Sequence, residues 1–237
     1  MLRSILYTGL LFATVVPYGL VLLLVRPFGY RASYRVAVAW AKLVTALADW
    51  VCGLRFVVEG AENLPAQNSV VLMKHSSAYE TIVQLLLFPN QCWVLKRELT
   101  WAPFFGWALA ALRPIAINRA AGRAAVGQVV EQGKDRLNRG HWVVIFPEGT
   151  RMPPGETRRY GLSGPLLAQK ANRLLVPVAH NAGDFWPRRG LRKRPGTVRF
   201  CIGAPVDPAG RDVREVNEEL QRWVETKVAD LRADTAP

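Results

Sequence analysis

The hydrophobic pattern opens with its longest uninterrupted stretch. From residue 4 to residue 25 the chain carries no charged side chain, reading SILYTGLLFATVVPYGLVLLLV. As a helix rising about 1.5 Å per residue this run reaches roughly 33 Å, enough to cross a bilayer core. Gly9, Pro17 and Gly19 lie inside it, and membrane helices tolerate such residues at the expense of a kink. Two readings compete: a cleaved signal peptide, for which the run is long and no small-x-small site follows, and a buried helix of a soluble core. Residues 32–52 read as a second, amphipathic helix in which Trp40, Leu43, Leu47 and Trp50 recur at helical spacing. This helix lies in a membrane interface, pairs with the first, or packs as an ordinary domain helix.

After Gly53 short apolar runs alternate with longer helical patterns. Strands are predicted at 56–58, 70–73, 92–95, 115–117, 143–146, 174–179 and 198–202. Helices are predicted at 77–88, 104–112, 121–138, 161–171 and 213–231, and residues 235–237 as a frayed tail. Val- and Ile-rich strands separated by helices predict an α/β fold: a mixed, largely parallel sheet covered by helices. The expected organisation is an N-terminal membrane-associating helical pair over 1–52 followed by an α/β domain over 53–237. Pro89, Pro103, Pro114, Pro147, Pro177 and Pro205 punctuate the joints.

Composition narrows the function classes. Half of the 237 residues are hydrophobic, which excludes a disordered tail. Cys52, Cys92 and Cys201 are too few and too scattered for a disulfide framework or a C-x-x-C metal site, and no metal is expected. Thirty-one Lys and Arg against 18 Asp and Glu give a net charge of +13, which points to anionic partners or to the bias of an Arg-rich genome. Arg26, Arg31 and Arg35 follow the apolar run, against Arg3 before it, so the chain beyond it is expected on the cytoplasmic side.

Two short segments carry chemistry. The first follows the 70–73 strand: Lys74-His75-Ser76-Ser77-Ala78-Tyr79-Glu80, with a Ser-rich cap opening a helix. His75 precedes the helix, so its ring can turn back, and a carboxylate five residues on reaches one ring nitrogen. That carboxylate fixes the tautomer and leaves the other nitrogen free as a base. A structural His–Glu contact is the plainer alternative. Neither Ser76 nor Ser77 sits in a G-x-S-x-G nucleophile elbow. The second segment is Phe146-Pro147-Glu148-Gly149-Thr150-Arg151, at the exit of the WVVIF run. Gly149 permits close backbone approach, Thr150 brings a hydroxyl and Arg151 a guanidinium, which together make a phosphate seat. Glu148 accepts only, so it is expected to orient Arg151 or a substrate hydroxyl; a strand-exit turn with a surface ion pair is the alternative. His141 is expected on the surface and His180 in a structural role. The basic cluster Arg188-Arg189-Gly190-Leu191-Arg192-Lys193-Arg194, preceded by Phe185 and Trp186, either meets anionic headgroups or an acidic carrier protein, or is a solvated loop.

With these motifs in view the chain resembles the glycerolipid acyltransferases, and among them the bacterial-type 1-acyl-sn-glycerol-3-phosphate acyltransferases. His75 through Glu80 stands at the family's His-x4-Asp motif, and Phe146–Arg151 matches Phe-Pro-Glu-Gly-Thr-Arg throughout. Leu95-Lys96-Arg97-Glu98-Leu99, Phe105-Gly106-Trp107 and Pro114-Ile115-Ala116-Ile117-Asn118-Arg119 resemble the second motif more loosely. Leu175-Val176-Pro177-Val178-Ala179 matches the fourth. Two departures stand out: Glu80 replaces the usual Asp, and Lys74 occupies a position where Asn is frequent.

The resemblance implies direct acyl transfer. His75, oriented by Glu80, takes the proton of a lysophospholipid hydroxyl, which attacks a fatty acyl thioester of coenzyme A or acyl carrier protein, with no further cofactor. Arg119, Glu148, Gly149, Thr150 and Arg151 are then the acceptor-binding residues, and the bilayer is a partner. Other acceptors, glycerol 3-phosphate or a lyso-ornithine lipid, fit the same chemistry. A basic membrane-tethered nucleic-acid-binding module leaves the second segment unexplained and shows no nucleic-acid motif, so no nucleic acid is expected. A non-catalytic membrane scaffold would make Glu80 a mark of decay.

Overall fold

Alternation of side chains along each strand decides which helices cover which face of the sheet. The computed structural model describes residues 1–102 and 105–234, without the side chains of Phe105, Arg119 and Arg123. Two long helices come first, α1 (Leu2–Val25) and α2 (Tyr30–Cys52), joined by a 3-10 turn at Arg26–Phe28 and Gly29. The strands are β1 (Leu54–Glu59), β2 (Val70–Met73), β3 (Gln91–Lys96), β4 (Ile115–Ile117), β5 (Trp142–Ile145), β6 (Leu175–His180) and β7 (Gly196–Ile202). Between and after them lie α3 (Tyr79–Leu87), α4 (Phe105–Ala111), α5 (Arg123–Asn138), α6 (Ser163–Ala171), the single turn α7 (Ala182–Phe185) and α8 (Val213–Ala233). The predicted helix at 104–112 begins at a residue outside the described set, as does the predicted tail at 235–237.

The sheet order is β1-β7-β6-β2-β5-β3-β4. Strands β6, β2, β5, β3 and β4 run parallel, and β7 turns back antiparallel to β6, with β1 parallel to β7. The mixed, largely parallel sheet expected from the apolar runs is therefore what forms. Val70, Leu72, Val143, Ile145 and Leu175 point to one face, into a core shared with Val129 and Leu137 of α5, Leu167 of α6 and Val216 and Leu220 of α8. Val71, Met73, Val144, Val176 and Val178 point to the other, against α1 to α4. The carboxyl ends of the central strands thus open at one end of the sheet, between two helical layers.

The core runs across residue 52 without a break. Ala37, Ala41, Val44, Ala48 and Val51 of α2 are buried at helical spacing in the same cluster as the sheet residues. The apolar stripe singled out in the sequence is split: Trp50 is 80% exposed and Leu43 36%, whereas Trp40 and Leu47 are half-buried against the core, the Trp40 indole donating to Thr14 Oγ1 of α1. Small side chains let the middle of α2 approach the sheet closely, while Tyr30 and Tyr34 are buried near its start. α2 is a domain helix on one face and a support for α1 on the other.

α1 is long and apolar enough to cross a membrane, and little of it is buried. Leu2, Ile5, Leu6, Phe12, Val16, Leu20 and Leu24 are all exposed. Its inner edge is anchored at both ends: Tyr7 is fully buried and donates to Val44 O, Leu22 is buried, and Ser4 Oγ accepts from Lys193 N at 2.9 Å. Lys193 itself is buried, its ammonium 4.6 Å from the Trp186 ring centroid and 5.5 Å from that of Tyr7. The basic cluster is therefore not a uniformly solvated loop; one member seats α1. His141 also departs from its expected surface position. It is buried, its ring 4.1 Å from that of Tyr30 and its Nδ1 donating to Asn90 O at 3.2 Å. The start of α2 folds over it, a long-range contact invisible in its local sequence.

These two faces of α1 separate by mutation. Tyr7→Ala should lower folding stability by about 3 kcal/mol, the scale for emptying a buried aromatic site, measured by denaturant unfolding in detergent. Replacing Phe12, Val16 and Leu20 together by Ser should leave that stability unchanged and reduce sedimentation with lipid vesicles.

Candidate active site

The site grows from the exits of three adjacent parallel strands. After β2 the chain carries Lys74 and His75, after β5 it carries Phe146 to Arg151, and β6 ends on His180. β2 is paired to both of the others, so residues more than 70 positions apart meet at one end of the sheet.

His75 Nδ1 lies 2.8 Å from Glu80 Oε1. The same oxygen accepts from Ser76 N at 3.0 Å and Ser77 N at 2.9 Å. Glu80 thus does what the Ser-rich segment was expected to do: its carboxylate satisfies the free amides ahead of α3, and the helix begins at Tyr79 rather than at 77. Ser77 has a smaller part, its hydroxyl accepting from Tyr79 N. With a carboxylate on Nδ1, the imidazole carries its proton there and presents Nε2 as a base. Glu80 is fully buried. Burial alone would raise its pKa, but the His75 hydrogen bond, the electrostatic pull of the nearby His180 and His75 rings and the Ser77 amide outweigh that and hold it below the ordinary glutamate value. The carboxylate stays ionised.

The ring has an apolar wall that sequence reading passed over. Phe146 stacks on His75 with centroids 4.2 Å apart and planes inclined by 25°. Beyond opening the strand-exit motif, the Phe146 ring limits how far the imidazole can tilt. The His75 peptide is clamped as well, its N–H donating to Glu148 Oε2 at 2.7 Å and its C=O accepting from Met152 N at 2.7 Å.

Glu148 does not orient Arg151 or face a substrate. Its side chain is buried, with Oε1 2.7 Å from Lys74 Nζ. An inward turn follows from chemistry: a buried lysine needs counter-charges, and Glu148 is the nearest strand exit. Lys74 Nζ also donates to Glu225 Oε1 at 2.9 Å, to Glu225 Oε2 at 3.0 Å and to Glu156 O at 2.9 Å. Tyr160 Oη donates to Glu225 Oε1 at 2.6 Å. Burial pushes the Glu148 carboxyl up to about 7; Lys74 and the His75 N–H pull it down and Glu225 pushes it further up. Glu225 and Tyr160 belong to the support of the site, and no local motif marked them.

His180 takes the structural role expected of it. Its Nε2 donates to Lys74 O at 2.8 Å and its Nδ1 accepts from Ala182 N at 3.2 Å. Burial lowers its pKa, so it stays neutral behind the His75 loop.

Gly149, Thr150 and Arg151 form the mouth of the second segment. Gly149 has φ +68°, a left-handed turn that opens the loop, and a Cβ added there would meet nothing within 4 Å. Gly149 is exposed, Thr150 and Arg151 half-buried. Arg151 has no acidic partner among the described residues, leaving its guanidinium available to an anion. Arg119 begins a 3-10 turn directly after β4; its side chain lies outside the described residues. Among the described residues no group of His, Cys, Asp and Glu is arranged to hold a metal ion.

Comparison with known proteins gives concordant results. A family profile described as "Acyltransferase" matches residues 55–181. A 1-acyl-sn-glycerol-3-phosphate acyltransferase of Pseudomonas aeruginosa is 40% identical over 97% of this chain and 91% of its own length. The human 1-acyl-sn-glycerol-3-phosphate acyltransferase alpha is 29% identical over 81% of this chain and 70% of its own. The crystal structure of a 1-acyl-sn-glycerophosphate acyltransferase from Thermotoga maritima shares the fold, with a TM-score of 0.82 at 23% identity over 100% of this chain and 97% of that one. With the first and third motifs meeting around one imidazole and the profile spanning more than half the sequence, the chain belongs to the glycerolipid acyltransferase family.

Proposed function

We propose that this protein is a 1-acyl-sn-glycerol-3-phosphate acyltransferase, moving a fatty acyl group from a thioester to the free sn-2 hydroxyl of lysophosphatidic acid to give phosphatidic acid. The observation that carries the reading is the His75 Nδ1–Glu80 contact at 2.8 Å, set at the same strand ends as Gly149-Thr150-Arg151. A hydroxyl nucleophile needs a base near neutral pH, and a phosphate acceptor needs a cationic seat; the two stand on adjacent strand exits. The activity named for the Pseudomonas and human relatives supports the same reaction.

His75 Nε2 removes the acceptor hydroxyl proton as the oxygen attacks the thioester carbonyl. Glu80 stabilises the imidazolium that forms, and Phe146 keeps the ring in plane with the attack. As the tetrahedral intermediate collapses, the C–S bond breaks and the thiolate leaves, taking the proton back from His75. The donor is acyl-CoA or acyl carrier protein, and no cofactor takes part. Arg151, with the Gly149 and Thr150 turn, holds the acceptor phosphate, and Arg119 assists. α1, pinned at Tyr7 and Leu22, lies in one leaflet with its exposed stripe among acyl chains, so that a lysolipid reaches His75 from the bilayer. Arg26, Arg31 and Arg35, against Arg3 on the other side of the apolar run, support a cytoplasmic position for this surface.

His75→Ala should lower kcat by about 10²–10⁴-fold, while circular dichroism and vesicle binding stay as in the parent; near-parental turnover would remove the base assignment. Glu80→Gln should come close to that loss. The three donors on Oε1 keep the amide oxygen toward His75, and the NH₂ then takes the place of Oε2, which has no partner among the described residues. Charge is lost and a buried donor is left unpaired. Glu80→Asp keeps the charge and should retain partial activity. A Gln variant with parental kcat and a slightly lower melting temperature would reduce Glu80 to a helix cap.

Arg151→Lys should raise the KM for lysophosphatidic acid roughly ten- to a hundredfold, the loss of a bidentate charge-assisted contact worth about 1.5–3 kcal/mol, with little change in the KM for acyl-CoA. The opposite split would move Arg151 to the donor site.

A further inference from the structure

The ammonium of Lys74 is nearly sequestered from solvent, yet nothing about the packing requires a cation there. An apolar side chain of similar volume is often as stable in such a place, because both charges of a buried pair must be stripped of water. Here three segments converge on it: the β2 exit that carries His75, the β5 exit that carries Glu148, and α8, which contributes Glu225 from 151 residues away. All of this lies one peptide from the catalytic imidazole.

We infer that Lys74 and Glu225 are positioning residues that hold the His75 loop for catalysis through the Glu148 carboxylate, an arrangement that depends on that carboxylate being ionised. The inference rests on the assignment of His75 as the base. The path is continuous: Tyr160 Oη to Glu225, Glu225 to Lys74 Nζ, Lys74 Nζ to Glu148 Oε1, and Glu148 Oε2 to the His75 N–H. Lys74 itself is fixed from behind by His180, which donates to its carbonyl.

The charge count gives the cluster its pH dependence. Two carboxylates on one ammonium leave one net negative charge in a water-poor site, which favours uptake of a proton. Burial pushes Glu148 up to about 7, so that proton arrives close to neutrality. The groups facing Glu148 are Lys74 and His75 from the β2 exit, Glu225 from α8, and Tyr160 from the segment before α6. The Tyr160 hydroxyl stays protonated because burial and both carboxylates suppress its ionisation. An ionised carboxylate accepts the His75 N–H roughly twice as strongly as a neutral acid does. Protonating Glu148 therefore loosens one of the two clamps on the His75 peptide, and a displacement of about an ångström at a catalytic base is costly.

The test is the pH profile of kcat for the full-length protein in detergent, with labelled acyl-CoA and lysophosphatidic acid. Glu225→Gln removes the negative charge that raises Glu148 and should move the acid limb of kcat to lower pH by about one unit, with both KM values within about twofold of the parent. Lys74→Met removes the charge that lowers Glu148 and should move the limb the other way; should that variant not fold, Glu225→Gln reads the same limb alone. In a Glu148→Gln background, adding Glu225→Gln should shift nothing further. An undiminished shift there would mean that Glu225 acts on His75 directly, and it would overturn the inference. So would a uniform fall in kcat with no movement of the limb, or a change confined to KM. His75→Ala, run alongside, separates the two levels: an active His75→Ala overturns the base assignment itself, whereas an inactive one with an unmoved Glu225→Gln limb overturns only the positioning role.

Discussion

A carboxylate sealed from water must find donors or give up its charge, and Glu80 finds three on a single oxygen. The geometry around the site follows from that need. The chain between β2 and α3 has to turn so that the amides of Ser76 and Ser77 point inward, and the same turn brings the His75 ring onto the remaining approach. Capping the helix, choosing the tautomer and aiming the base are one set of hydrogen bonds seen from three directions. The extra methylene of glutamate, relative to the aspartate common in the family, is absorbed within this arrangement, and the contact closes at 2.8 Å.

Around that centre the parallel sheet does the gathering. Side-by-side pairing of β5, β2 and β6 converts separations of tens of residues into neighbouring strand exits, the usual place for a ligand in an open α/β sheet. Each exit contributes differently. The β2 exit supplies the imidazole paired with Glu80, the β5 exit an aromatic wall and an inward carboxylate, and β6 a histidine that supports the loop from behind. Glu148 and Arg151 lie three residues apart, with the left-handed Gly149 between them, yet Glu148 is buried against Lys74 while Arg151 stays half-buried.

Much of this was legible in the sequence. Strand and helix positions follow from short β-branched runs and helical periodicity, and the ends differ by only a few residues. The His75–Glu80 contact was readable because a histidine just before a helix and an acid in its first turn are brought together by local geometry. What periodicity could not reveal was which apolar face meets protein and which meets solvent or lipid. In α2 the stripe of Trp40, Leu43, Leu47 and Trp50 is the more obvious one, but Leu43 and Trp50 face outward and the fully buried face is made by Ala37, Ala41, Val44 and Ala48. Nor could local patterns expose contacts set by topology: Tyr30 over His141, Glu148 turned to Lys74, and Glu225 reaching the same lysine from the last helix. Lys74 carried a signal in hindsight, since a cation directly after an all-apolar strand needs a partner, but the sequence offers eighteen acids and no means of choosing among them.

The reach of α8 has a consequence for how the molecule comes into being. Lys74 and Glu225 are separated by 151 residues, so at a synthesis rate of 5–20 residues per second roughly 8–30 s pass between the making of one and the other. The apolar α1 is already complete when that interval begins. The ion cluster beneath the imidazole closes only when the final helix docks. A nascent or C-terminally truncated chain that lacks α8 therefore holds Lys74 with only one of its two carboxylate partners.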